Sequence, residues 1–194
     1  MSVAKVAVGL VHWPIYDRMK KQVATNITNL DIHDIARSTR VYGVDRYYII
    51  HPMREQQMFV HRVLDHWRSG RGATFNPMRR TALMDVYTAD SIRAAKLDWQ
   101  EVCGGIASHC VATSARDEVG LAQIGFRQLR SEMGQQTQRP IFLLFGTGFG
   151  LHEDAFLEVD SILEPIRGAS REDYRHLSVR SAVSICLDRL LGSW

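Results

Sequence analysis

The chain has 194 residues, ample for one sizeable core and short for two full domains. Hydrophobic residues make up 45% and charged residues 23%, a globular composition that argues against disorder over the whole length. A formal charge of +3 and a pI near 8.9 permit an anionic partner without demanding one, so the location of the cations matters more than their sum.

Val3 to Val11 is rich in valine and alanine and reads as a buried strand that stops at His12-Trp13-Pro14. A cationic loop follows, with Arg18, Lys20 and Lys21 interleaved with Trp13 and Tyr16. Thr28 or Asn29 can cap a helix whose first turn holds Asp31 and Asp34 and whose apolar face is Ile32, Ile35, Ala36, Thr39 and Val41; Gly43 closes it. Val44 to Ile50 is a second strand, ended by Pro52, and strand–helix–strand with short links favours a parallel sheet.

Glu55 to Trp67 has Met58, Val60, Val63, Leu64 and Trp67 at roughly helical spacing. Residues 68–80 form the most basic window of the chain, with Arg68, Arg71, Arg79 and Arg80, no acid, and Phe75 as an aromatic face. They read as a flexible loop suited to phosphates, with a short helix starting at Pro77. A strand at 86–88, a helix capped by Ser91 and running to about Val102, a strand at 106–113 and a helical stretch at 121–134 follow. The alternation implies a single doubly wound α/β domain with a mostly parallel sheet.

The last quarter organises the rest. An apolar strand at 140–146 runs into Gly146, Gly148 and Gly150, then come a short helix near 152–158 and a strand at 159–163. An aperiodic loop containing Pro165 and Gly168 leads to a helix from Ser178 to Leu191. Two strand ends and a helix start meet there, each built so that backbone can approach a ligand. The glycine spacing is not that of a dinucleotide-binding turn, and a P-loop is absent.

Cys103, Cys110 and Cys186 form no CxxC pair, and the eight histidines lack structural-zinc spacing, so no metal is expected. With no apolar run near the roughly 20 residues of a membrane span and no signal-peptide pattern, a soluble cytoplasmic protein is expected.

Three stretches resemble the SPOUT superfamily of S-adenosylmethionine-dependent RNA methyltransferases, particularly its SpoU-like branch and a group of small stand-alone bacterial members. They are Asn26 to Arg37 with Tyr42-Gly43-Val44, Leu144 to Leu151, and Leu163 to Gly168 with Leu177 to Ile185. In the first, a helix delivers an arginine, here Arg37, and ends at a glycine, here Gly43. Two positions differ from the SpoU-like pattern: Asp31 and Ser178 stand where asparagines are usual. The glycine loop, Thr147-Gly148-Phe149, also lacks the usual glutamate.

The resemblance implies a trefoil knot tucking the segment around 164–180 through the preceding strands, a bent S-adenosylmethionine, and a homodimer with the active site at its interface. Cofactor binding then falls on Ala112, Thr113, Leu144, Phe145, Gly146, Thr147, Gly148, Gly150, Leu163, Glu164, Ile166, Gly168, Leu177 and Ser178, with Leu144, Ile166 and Leu177 suited to the adenine. Catalytic candidates are Arg37, Glu164 and Arg180, with Asp34 as a further proton acceptor. Arginine is a poor base at its ordinary pKa, so Arg37 is better suited to phosphate and developing charge. The loops bearing Arg18, Lys20, Lys21, Arg68, Arg71, Arg79 and Arg80 are the expected contacts to tRNA or rRNA. The methyl acceptor is a ribose 2′-oxygen or a base nitrogen. A non-catalytic RNA-binding protein that keeps the fold is the alternative, favoured by the altered asparagine positions.

Overall fold

The computed structural model describes residues 4–116, 121–135 and 139–193; Val3, the expected start of the first strand, lies outside them. Seven strands form one parallel sheet in the order β5-β4-β1-β8-β6-β9-β7. They are β1 (Val6–Val11), β4 (Arg46–Ile50), β5 (Val86–Ala89), β6 (His109–Thr113), β7 (Gln123–Ile124), β8 (Ile141–Gly146) and β9 (Ser161–Leu163). A small antiparallel ribbon, β2 (Ile15–Tyr16) with β3 (Gln22–Val23), projects from the end of β1. The helices are α1 (Asn29–Val41), α2 (Arg54–Arg68), α3 (Arg71–Phe75), α4 (Pro77–Leu83), α5 (Ile92–Val102), α6 (Phe126–Met133), α7 (Glu153–Phe156) and α8 (Val179–Leu191).

Why the central strands sit in the middle follows from their residues. All six residues of β1 are buried, as are Ile141 to Phe145 of β8, so both faces must be covered. One face packs on α1, α2, α4, α6 and α8 through Ile32, Ile35, Val60, Leu64, Leu83, Leu129, Val183 and Leu187. The other packs on α5 and α7 through Ile92, Trp99 and Ala155. The fold is therefore doubly wound, as expected. From β1 the chain first moves to β4 and β5, then crosses to β6 on the opposite side. β1 and β8 thus mark the switch point, at whose carboxyl edge α/β sheets open a crevice.

Several elements start as the sequence predicts. Thr28 caps α1 by accepting from the Asp31 amide, Ser91 caps α5, and Ser178 caps α8 through the Ser181 amide. Other expectations are corrected. Val41, placed on the buried face of α1, is 77% exposed, because that helix buries only its Ile32–Ile35–Ala36–Thr39 side. The stretch from 121 is not wholly helical: β7 pairs with β9 before α6 begins.

The basic window is not a flexible loop. Arg68 ends α2, and residues 71–75 form α3, with α4 capped by the Asn76 side chain. Nor is the Arg18–Lys21 turn irregular: the Asp17 carboxylate accepts from the amides of Met19 and Lys21 at 2.8 and 2.7 Å and closes the β2–β3 ribbon. Among the described residues no helix is long and apolar enough to cross a membrane, and no group of three His, Cys, Asp or Glu could hold a metal ion.

Candidate active site

A cavity of about 660 Å³ opens at the carboxyl ends of β1, β6, β8 and β9. The β8 loop forms one wall. Gly148 and Gly150 have φ of +55° and +98°, conformations that side chains with a Cβ rarely adopt. A Cβ on Gly146 would stand 2.9 Å from the Leu151 amide nitrogen, so here backbone packs directly on backbone. The loop is stitched to the ribbon, the Phe149 amide donating to the Tyr16 carbonyl and the Tyr16 amide to the Gly150 carbonyl. Leu163 at the end of β9 and Ile166 beyond it, with Leu177 and Val179 before and within α8, supply apolar lining.

Opposite them lies a polar wall. Asp31, only 5% exposed, sits in the first turn of α1. Its Oδ1 accepts from Arg180 at 2.8 Å and its Oδ2 from the Thr28 hydroxyl at 2.5 Å; Arg180 also reaches Asp34 at 3.5 Å. A second chain starts at His12, just past β1. His12 Nδ1 lies 3.0 Å from the Thr25 hydroxyl, which lies 2.5 Å from the Thr147 hydroxyl, which donates to the Val11 carbonyl at 3.0 Å. Burial pushes the His12 imidazole down to about 4; the nearby Asp31 carboxylate opposes this and His51 adds to it.

Most of the expected cofactor residues converge: Thr113, Phe145, Gly146, Thr147, Gly148, Gly150, Leu163, Glu164, Ile166, Leu177 and Ser178 all line the cavity. Ala112 and Leu144 do not; both lie fully buried in the core of the opposite sheet face. Gly168 is exposed and away from the lining.

Of the catalytic candidates, Arg180 lines the cavity but is paired with Asp31 and Asp34. Glu164 lines it too, yet its Oε1 accepts the Phe126 amide at 2.7 Å and so caps α6. Arg37 is exposed on α1 and does not line this cavity. Arg18 and Lys20 stand at the mouth. Lys21 is exposed on the same turn.

Arg68 is bound to protein: it donates to the carbonyls of Leu83, Met84 and Val86. Arg79 stacks on the Trp67 ring at 4.6 Å, and Arg71 and Phe75 border a separate groove with His66 and Trp67. Lining residues that sequence reasoning did not single out are His12, Thr25, Arg116, Arg175 and His176. His12 had a signal, since it ends a buried parallel strand at the edge where such sheets bind ligands.

The site suits S-adenosylmethionine on its own terms. A loop with glycines at 146, 148 and 150 lets backbone meet a polar ligand, Leu163, Ile166 and Leu177 supply apolar surface for a planar ring, and the volume is that of a small-molecule pocket. A family model described as SAM-dependent RNA methyltransferase matches residues 5–192. A tRNA (guanine-N(1)-)-methyltransferase of Oleidesulfovibrio alaskensis is 40% identical over 183 residues, 94% of this chain and 41% of that protein. The chain thus spans about two-fifths of the length of that relative. An uncharacterised protein of Aquifex aeolicus is 37% identical over 190 residues, 96% of this chain and 88% of that one. The SpoU methyltransferase AviRb of Streptomyces viridochromogenes, solved in complex with AdoMet, superposes with a TM-score of 0.56 at 14% identity, covering 98% of this chain and 58% of that one.

Proposed function

This chain belongs to the family of SAM-dependent RNA methyltransferases, and we propose that it transfers the methyl group of S-adenosylmethionine to a nucleotide of tRNA. The observation that carries this reading is the convergence of three loops and a helix start on one cavity at the sheet's switch point: the β8 loop, the turn after β6, the segment after β9 and the start of α8. S-adenosylmethionine supplies an activated sulfonium methyl, so the protein's task is chiefly positioning and the handling of one proton. The β8 loop and residues 163–166 and 177–179 would hold the cofactor, with Ile166 and Leu177 against its adenine. Arg180, fixed by Asp31 and Asp34, presents a cation on the cavity wall for negative charge on the acceptor strand.

The proposal of tRNA is supported by the name of the longer relative. Cationic residues at the cavity mouth, Arg18 and Lys20, with Arg71 and Arg80 on α3 and α4, are proposed to meet its phosphates. A homodimer is part of the proposal, and its support is that Arg37 lies outside the cavity of its own chain. So is a trefoil knot at 164–180, for which the support is β8 inserted between β1 and β6, with the chain returning through β9 to α8.

The second reading, an RNA-binding protein without catalysis, is favoured by one observation. Two of the carboxylates on the cavity wall already serve local structure, Glu164 as the cap of α6 and Asp31 as the partner of Arg180. Calorimetric titration with S-adenosylmethionine, and mass spectrometry of tRNA nucleosides with and without the gene, separate the two. A methylated nucleoside lost with the gene supports catalysis, and its identity, N1-methylguanosine or a 2′-O-methyl nucleoside, assigns the acceptor. Cofactor undetectable at millimolar concentration with the protein folded refutes the methyltransferase reading.

A further inference from the structure

We propose that the groove between the end of α2 and α3 is an RNA contact separate from the cavity of the candidate active site, taking one unpaired base against Phe75 while Arg71 and Arg80 hold neighbouring phosphates. The proposal rests on the RNA methyltransferase reading for the nature of the ligand and on the following geometry for the place.

The groove has a volume of about 460 Å³ and is lined by His66, Trp67, Arg71, Gly72, Thr74 and Phe75, none of which lines the larger cavity. Its size is that of a small-molecule site. Its rings are set before any ligand arrives. His66 and Trp67 meet edge to face at 5.0 Å, and His33 of α1 meets the same Trp67 ring system edge to face at 5.6 Å. Gly72 is buried against α2: a Cβ there would stand 2.6 Å from the Trp67 ring and 3.0 Å from the His66 ring, so the α3 backbone lies directly on both. Phe75, at the end of α3, is 86% exposed, and Met78 beyond it is 81% exposed. A phenyl ring left in water at the rim of a preformed groove is apolar area that a flat ligand covers well.

Charge selects the occupant. Residues 68–80 hold Arg68, Arg71, Arg79 and Arg80 and no acid. Arg68 is engaged by the carbonyls around β5, whereas among the described residues Arg71, Arg79 and Arg80 form no salt bridge; Arg40 and Arg46 elsewhere pair with Asp85 and Asp98. Arg79 lies over the Trp67 ring at 4.6 Å, a placement that keeps the charge and leaves the in-plane donors of a guanidinium for a phosphate. The His33 imidazole is pushed down first by burial and then by the Arg79 charge, with Asp34 opposing and Arg37 adding, so the positive field of the groove extends onto α1. An exposed aromatic ring among arginines without acids fits single-stranded nucleic acid, whose bases stack on the ring while its phosphates pair with the cations. A duplex keeps its bases stacked on one another, so the base taken here is an unpaired one.

Fluorescence anisotropy of the full-length chain with labelled decauridine, and with an abasic ribose-phosphate oligomer of the same length, separates stacking from phosphate pairing. Phe75→Ala should weaken decauridine about ten-fold and leave the abasic oligomer and the salt slope unchanged, because a ring is lost and no cation. Phe75→Tyr should keep the wild-type affinity. Arg71→Ala should weaken both oligomers alike and flatten the slope of log K against log salt. In the wild-type protein, photocrosslinking of iodouridine-substituted decauridine, mapped by mass spectrometry, should mark His66, Trp67 or Phe75. Circular dichroism and an unchanged affinity for S-adenosylhomocysteine show that the variants are folded.

Equal decauridine affinity for wild type and Phe75→Ala, an equal loss with the abasic oligomer, or crosslinks confined to other parts of the chain overturns the proposal. So does a change of sedimentation in Phe75→Ala, which would make the groove an interface between copies of the chain. Wild-type protein that binds S-adenosylhomocysteine but not decauridine overturns the groove and leaves the methyltransferase reading standing. Wild-type protein that binds neither S-adenosylhomocysteine nor tRNA sinks that reading, and the proposal with it.

Discussion

Asp31 is held by opposed demands. Its carboxylate is buried, which is costly, and Arg180 and Thr28 together offset that cost. Removing Arg180 leaves the charge with a single hydroxyl, so Arg180→Ala should lower stability by about 2 kcal/mol; Arg180 is partly exposed, which keeps the figure below the fully buried case. Asp31→Asn in the same chain should restore part of the loss, because no charge then remains stranded. Thermal melts of the two single variants and the double variant check this, and strict additivity would mean the pair is not coupled.

His12 makes a pH prediction. Its pKa falls from 6.5 to about 4 on folding, so between those values the unfolded chain binds a proton that the folded chain refuses. Stability is then intact above pH 6.5 and declines as the pH falls toward 4, by about 3 kcal/mol for this group. His33, His51 and His109, each also lowered chiefly by burial, add to the slope. Denaturant melts across this range should give a shallower decline in His12→Asn than in the wild type.

Among the elements, the α2–α4 segment separates structural from ligand-facing arginines. Arg68 joins the end of α2 to the carbonyls around β5, so Arg68→Ala should cost about 2 kcal/mol, or a Tm drop of about 4–8 °C, with little change in the salt dependence of RNA binding. Arg71 and Arg80 are exposed on α3 and α4, and replacing both by alanine should do the reverse. Stability should hold, while the slope of log K against log salt flattens by about 1.5. Filter binding over a salt series, with melts alongside, separates the two outcomes.

The same segment marks what sequence can carry. Strands β1, β4 and β8 and helices α1, α5 and α8 were legible because burial on both faces, or on one helical stripe, leaves an apolar pattern, and hydroxyl caps mark the starts. α3 left none: five residues with Gly72 inside have no stripe, and Gly72 is there because a Cβ would meet the Trp67 ring at 2.6 Å. In the site, the glycine loop and the residues after β9 were readable from local chemistry. The engagement of Glu164 with α6, of Arg180 with α1 and of His12 with Thr147 joins residues 38, 149 and 135 positions apart, and no local pattern reports such contacts.

At the scale of the molecule, Arg37 stands apart from the cavity of its own chain. It lies on α1, whose first turn walls the cavity through Asp31, yet Arg37 itself is exposed and outside the lining. In the proposed dimer it acts on the cavity of the second copy, which closed two-fold symmetry makes reciprocal. Subunit mixing tests this. Gly146→Val should ruin the cofactor wall, since even the first carbon of a side chain stands 2.9 Å from the Leu151 amide nitrogen. Arg37→Ala leaves that wall intact. Each variant alone should be inactive on tRNA. In co-expressed mixtures, each mixed dimer unites one intact cavity with one intact Arg37 only if the arginine acts across the interface. Random pairing makes half the dimers mixed, each with one working site, so about a quarter of the wild-type rate should return. If the mixture stays inactive, with mixed dimers demonstrated by two different affinity tags, Arg37 serves its own chain. If sedimentation finds only monomer at micromolar concentration, the assembly itself is refuted. Recovery in the mixture would tie the exposed face of α1 to catalysis and explain why a cavity so complete in one chain holds no Arg37.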